Sequence, residues 1–140
     1  MSLGDYLRYL RALRGGPTPW EIAQEVGLDS PRLLSEIEQR YRKIGDDETL
    51  EKLAAYYDVP LEELHWRRER SRKAFTAFAN EAMLNRRTVL LHLRLGQTLR
   101  GRILWWDLGA IGLDPLDGSP EMVVQRHAID DWEVEAGDGG

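Results

Sequence analysis

Catalysis needs a nucleophile, a metal set or a matched acid–base pair, and the side chains that supply them are thinly spread in this sequence. There is no cysteine, which excludes disulfides, thiolate nucleophiles and thiolate metal sites. His65, His92 and His127 stand far apart and share no metal-ligand spacing. Glu62-Glu63 and Asp130-Asp131 read as solvated faces rather than as an acid–base pair. No glycine-rich loop follows a strand pattern to cradle a phosphate. What the sequence does concentrate is positive charge. Arg67, Arg68, Arg70, Arg72 and Lys73 form one run; Arg86, Arg87, Arg94, Arg100 and Arg102 form a second. Guanidinium groups at such density can neutralise phosphate, although the first run also reads as an ordinary solvated helix face. The expectation from these residues is a protein that is not an enzyme and needs no cofactor or metal, with phosphate binding left open by the local positive charge.

The 140 residues carry a net charge of −5, so any phosphate site must be local. Acidic side chains gather near the end as Asp130, Asp131, Glu133, Glu135 and Asp138. No apolar run approaches the roughly 18 residues of a membrane span, and Asp5 interrupts the first apolar stretch. A cytoplasmic protein with no membrane partner is the default expectation.

Two kinds of element must position the arginines. Through the first half, apolar residues recur at helical spacing. Leu3, Tyr6, Leu7, Leu10 and Leu13 form one stripe, ended by Gly15-Gly16-Pro17. Thr18-Pro19-Trp20-Glu21 combines a threonine cap, a proline at the first helical position and a glutamate three residues on. Ile22, Ala23 and Val26 are its inner side, and Gly27 closes it. Ser30-Pro31 predicts a third helix with Leu34, Ile37 and Tyr41 inward; Gly45-Asp46-Asp47 breaks it and caps a fourth carrying Leu50, Leu53, Ala54 and Tyr57. Pro60 introduces a fifth with Leu61 and Leu64. From Arg67 to Leu84 the pattern predicts one long basic helix with Phe75, Phe78, Ala79 and Ala82 on its apolar side.

After Arg87 the period falls to two. Val89, Leu91, Leu93 and Leu95 mark a strand, Gly96-Gln97 a turn, and residues 97–106 a second strand bent at Gly101. Residues 110–113, 122–126 and 128–134 supply three more, and the chain fades into a disordered acidic end. Five short, bent strands after one helix predict a small β-barrel. The fold class is therefore two domains: an all-α bundle of about five helices over 1–70, and a helix plus a five-stranded small barrel over 71–140.

The stretches LGDYLRYLRAL, EIAQEVGL, LLSEIEQRYR and LEKLAAYYDVPLEEL, over about residues 3–64, resemble the Cro-type (XRE-like) helix-turn-helix family. That resemblance implies duplex DNA as a ligand of the first half. Arg32 would read a guanine edge, Glu36 would accept from cytosine, and Arg40 would lie on the same helix. Pro19 departs from the pattern, because the family commonly places a phosphate-gripping glutamine there and proline has no N–H.

The second half is similar to the Hfq branch of the Sm-like (LSm) proteins, over about residues 72–134. The resemblance rests on Gly96, Leu99, Gly101, Ile103 and Asp107 in order, followed by Arg126-His127-Ala128-Ile129 where the family runs lysine-histidine-alanine-isoleucine. It implies self-association into a ring through the fourth and fifth strands. It also implies an RNA site at the pore built from Arg126, His127 and Asp107, with further RNA contacts on the opposite face (His92, Gly96, Thr98) and the rim (Arg86, Arg87). The family's stacking aromatics are absent: Leu108-Gly109 replaces Gln-Phe, Gln125 a tyrosine and His92 another. Trp105 and Trp106 are substitutes, or else core or interface residues.

Three functions follow from these residues. The first is an RNA-binding ring carrying helix-turn-helix domains that also bind DNA. The second is a transcription regulator on DNA whose barrel only oligomerises. The third is an assembly protein without a nucleic-acid ligand.

Overall fold

The computed structural model describes residues 1–39 and 46–137. Tyr41, Gly45 and the acidic end from Asp138 lie outside the described residues, as does Arg40. The described residues form six helices and then a five-stranded antiparallel sheet, and the chain divides into two compact units, Ser2–Lys73 and Ala74–Gly140 with Met1.

The helical unit holds α1 (Leu3–Leu13), α2 (Pro19–Val26), α3 (Leu33–Gln39), α4 (Asp47–Tyr57) and α5 (Leu61–Arg68). Its core joins Leu3, Leu7, Ile22, Leu34, Ile37, Leu50, Leu53 and Leu64. Local chemistry sets the helix ends. The Thr18 hydroxyl accepts from the Glu21 amide, while the Glu21 carboxylate accepts from the Thr18 amide, a reciprocal cap that satisfies two otherwise orphaned donors. The apolar stripe of α1 stops one turn early, with Leu13 66% exposed. Ser30 does not cap α3 as its sequence suggests. Its hydroxyl accepts from the Arg32 amide and its carbonyl from the Leu33 amide, so a turn intervenes and the helix starts two residues late. Serine's short side chain makes such local competition cheap.

The expected long helix from Arg67 to Leu84 is two helices. α5 ends at Arg68 with the Arg70 amide bonded back to the Arg67 carbonyl, and α6 (Arg72–Leu84) begins after Ser71. The Arg72 guanidinium pairs with Asp5 and also donates to the Glu38 and Gln39 carbonyls at the end of α3. A cation on those unsatisfied carbonyls is favourable.

The sheet unit comprises most of α6 with β1 (Thr88–Leu93), β2 (Thr98–Trp106), β3 (Ala110–Asp114), β4 (Met122–Gln125) and β5 (Ile129–Val134), in the order β4-β3-β2-β1-β5. Val89, Leu91, Ile103, Ile111, Leu113, Val124 and Ile129 meet Phe75, Ala79 and Ala82 of α6 in one core. The expected barrel does not close. β4 and β5 are opposite edges, and each pairs on one side only. β4 is four residues long and is followed by a tight 3₁₀ turn over Arg126–Ala128, so the chain reaches β5 without a strand long enough to bridge the gap. Leu95, placed by alternation on the buried side, is 94% exposed because β1 already ends at Leu93.

At Gly101, β2 lies close against the end of β3. A Cβ built there would overlap the carbonyl oxygen of Asp114, and the position is buried. Gly101→Ala should therefore destabilise the protein by about 2 kcal/mol, as overpacking a close-packed interior does. Chemical denaturation showing a stability equal to the parent would refute this close approach.

Candidate nucleic-acid interface

The residues singled out for RNA on the sheet unit fall in three places. Asp107, Arg126 and His127 come together. The Asp107 carboxylate accepts from the Gly109 and Ala110 amides, both at 2.7 Å, closing the turn between β2 and β3. The Arg126 amide donates to the Gly109 carbonyl at 2.9 Å, bringing the 3₁₀ turn against that same turn. The Arg126 guanidinium then donates to the Asp107 carbonyl and, at 2.8 Å, to the Thr76 hydroxyl in the first turns of α6. It also lies 4.9 Å over the Phe75 ring. Arg126 is half-buried, whereas its neighbour His127 is exposed. One guanidinium thus ties α6, the β2–β3 turn and the 3₁₀ turn together, which its planar fork of donors permits.

His92 and Thr98 are opposed across the β1–β2 ladder, with Nδ1 3.1 Å from the threonine hydroxyl. Gly96 closes the same hairpin with φ +93°. Glu133 stands 3.6 Å from His92 Nε2, and Asp131 is its register partner on β5. The setting is mixed in charge rather than basic. Arg86 and Arg87 close the end of α6. The Arg87 amide bonds to the Ala82 carbonyl and the Arg86 amide to that of Met83, a helix-ending pattern that puts Arg86 in the left-handed region at φ +51°. Arg87 pairs with Glu81 at 2.7 Å, while the Arg86 side chain is exposed.

The two tryptophans have different fates. Trp106 packs against the core, its indole donating to Asn80 at 3.2 Å. Trp105 lies across Gly112, where a Cβ would overlap its five-membered ring, and donates to Glu121 at 2.9 Å.

Most of the first basic run is engaged within the helical unit. Arg67, 7% exposed, pairs with Glu63 at 2.7 Å and lies 4.1 Å over Tyr6. Arg68 pairs with Asp47, Arg70 lies 3.7 Å over Trp66, and Arg72 holds Asp5. Burial tends to raise the Asp5 carboxyl, but the hydrogen bond and charge of Arg72 hold it below its ordinary range. Of the DNA candidates, Arg32 is exposed just ahead of α3, Glu36 is half-buried on it, and Arg40 lies outside the described residues.

Residue spacing gave no sign of one ion pair: Arg11 grips the buried Glu38 carboxylate with its Nε and Nη2, the latter at 2.8 Å. Tyr57 lies close by; burial first, and the Glu38 charge second, push its hydroxyl well up. The signal was a glutamate on the same stripe as Leu34 and Ile37.

Among the described residues, no cluster of His, Asp or Glu could hold a metal ion, and no helix is long and apolar enough to cross a membrane. No family model matches this chain, and no curated protein matches it.

The Asp107 turn carries a pH signature. The Gly109 and Ala110 amides hold its carboxyl below the ordinary carboxylate value. A depressed folded-state pKa means that the contribution is complete above about pH 4 and is lost as acid protonates the folded group. Asp107→Ala should lower stability at neutral pH, and the gap from the parent should shrink towards pH 3. A gap that is constant across that range, followed by urea midpoints, would remove the carboxylate from the turn.

Proposed function

We propose that this chain is an RNA-binding regulator that assembles into a ring of the Sm/Hfq type, with one helical unit carried by each subunit. The observation that carries the reading is the strand order β4-β3-β2-β1-β5 with two half-paired edges. An exposed strand edge is a template for another strand, and pairing β4 of one copy with β5 of the next uses both edges in a closed cycle. Met122 and Val123 on β4, 39% and 61% exposed, would then be covered.

The pore-side turn supports RNA as the ligand. Repetition around a ring axis would set the exposed His127 imidazoles in a circle, each backed by the fixed charge of Arg126. Successive donors of that kind suit a single strand, whose backbone and bases present acceptors at short intervals. With Gly109 and Gln125 in place of aromatics, little stacking is available, so base preference should be weak and salt dependence steep.

The test combines light scattering with titration of uridine-rich and adenosine-rich RNA at two salt concentrations. The parent should be a closed oligomer at micromolar concentration. His127→Ala should keep that mass and lose about tenfold in RNA affinity, equivalent to about 1.4 kcal/mol. Arg126→Ala should also lower the melting temperature, because Asp107, Thr76 and Phe75 lose their common partner. A monomer would sink the ring. A ring that ignores RNA even at low salt would leave the sheet as an oligomerisation device only.

A further inference from the structure

The outer face of α2 has no task in the RNA reading, yet it is unusual for a surface helix. Trp20, Glu21, Gln24 and Glu25 all face solvent, and the i, i+4 spacing sets Trp20 beside Gln24 and Glu21 beside Glu25. Trp20 is 51% exposed. The fold does not require an indole there, because Ile22 and Ala23, both fully buried, supply the inner side of α2. Exposed tryptophan is characteristic of interface anchors, where a large, stiff apolar group meets a partner at little entropic cost.

Charge selects the partner. The N-terminus of a helix is ordinarily a ready anion site, but here Pro19 brings no N–H and the Glu21 carboxylate already occupies the Thr18 amide. Glu25 and, beyond the Gly27 turn, exposed Asp29 extend the negative charge, with exposed Arg32 beside them. Lys52 is a cation bonded to this stretch, and its ammonium is already placed on the Gly27 carbonyl at 3.0 Å and beside Glu48 at 3.4 Å, so a phosphate backbone approaching the outer face of α2 would meet the Glu21 and Glu25 carboxylates. A lysine or arginine would meet those carboxylates and the face of an indole, which binds cations by its quadrupole.

We propose that the α2 face docks a basic segment of a partner protein, with Trp20 as the anchor and Glu21, Glu25 and Asp29 as flanking charges. The inference is independent of the RNA reading, since it uses residues of the helical unit alone.

The experiment uses the full chain and three labelled probes: an amphipathic lysine–leucine peptide, its glutamate–leucine counterpart, and duplex DNA. Fluorescence anisotropy should show the lysine peptide binding with an affinity that falls as salt rises, and no binding of the glutamate peptide. Trp20→Ala should weaken binding tenfold or more with unchanged circular dichroism. The double variant Glu25→Gln, Asp29→Asn should weaken it and flatten its salt dependence. Peptide binding that is absent, or indifferent to these variants, overturns the proposal. So does duplex DNA binding that Trp20→Ala or Arg32→Ala abolishes, because that assigns the face to nucleic acid. RNA titration of the same preparations, with His127→Ala as its control, reads the ring site separately, so each reading can fail without the other.

Discussion

Backbone hydrogen bonding constrains the sheet unit more than any side chain does. Every strand carries a donor and an acceptor per residue, and water or another strand must satisfy those that face outward. Five strands in the order β4-β3-β2-β1-β5 leave two such rows. Gly101 allows β2 to lie against the Asp114 carbonyl at the end of β3, and the sheet stays open with its two edges unjoined. β4 is only four residues long and is held by its ladder with β3, and it runs directly into the 3₁₀ turn that Arg126 ties to Gly109, Asp107 and Thr76.

Positive charge, the feature that first suggested a function, is largely a structural resource in this fold. Arg11 neutralises a buried glutamate, Arg67 and Arg70 lie over aromatic rings, Arg72 holds Asp5 and the end of α3, and Arg100 grips Glu135 at 2.7 Å. Removing one partner of such a pair is costly where the other is desolvated. A run of arginines along a sequence is thus a poor measure of the potential outside the protein. What matters is which guanidinium groups face water, and Arg8, Arg32, Arg86, Arg94 and Arg102 are among the exposed ones.

Apart from the Ser30 turn, elements whose boundaries are set by local chemistry were legible from the residues. Thr18-Pro19-Trp20-Glu21 forms the cap its pattern predicts, and the two-residue period after Arg87 is a strand. Boundaries set by distant contacts were not. Nothing at Glu69–Ser71 resembles a breaker, because no glycine or proline lies there; Arg67 before it is held by Glu63 within α5, and Arg72 after it reaches the distant Asp5. Barrel closure also escaped the sequence, since alternation records which face is buried and not whether the last strand reaches the first. At the candidate site, family motifs placed Asp107 and Arg126 near one another, but their roles as turn acceptor and three-way tie depend on Gly109, Thr76 and Phe75, which no spacing links to them.

Arginine at position 126, where the resembling family has lysine, changes what that turn can do. A lysine ammonium is a flexible point charge that could swing to a ligand. The guanidinium is a rigid fork whose arms here reach a carbonyl on the β2–β3 turn and a hydroxyl on α6 while its face rests on Phe75. Releasing it to a phosphate would sacrifice all three contacts, so ligand binding would have to replace them within the same geometry. The economical arrangement leaves Arg126 in place as a fixed positive charge. In the proposed RNA reading, His127, exposed and one residue further on, would then make the contact. An imidazole can read a base edge, whereas a guanidinium already committed to Asp107, Thr76 and Phe75 would set the field in which it does so.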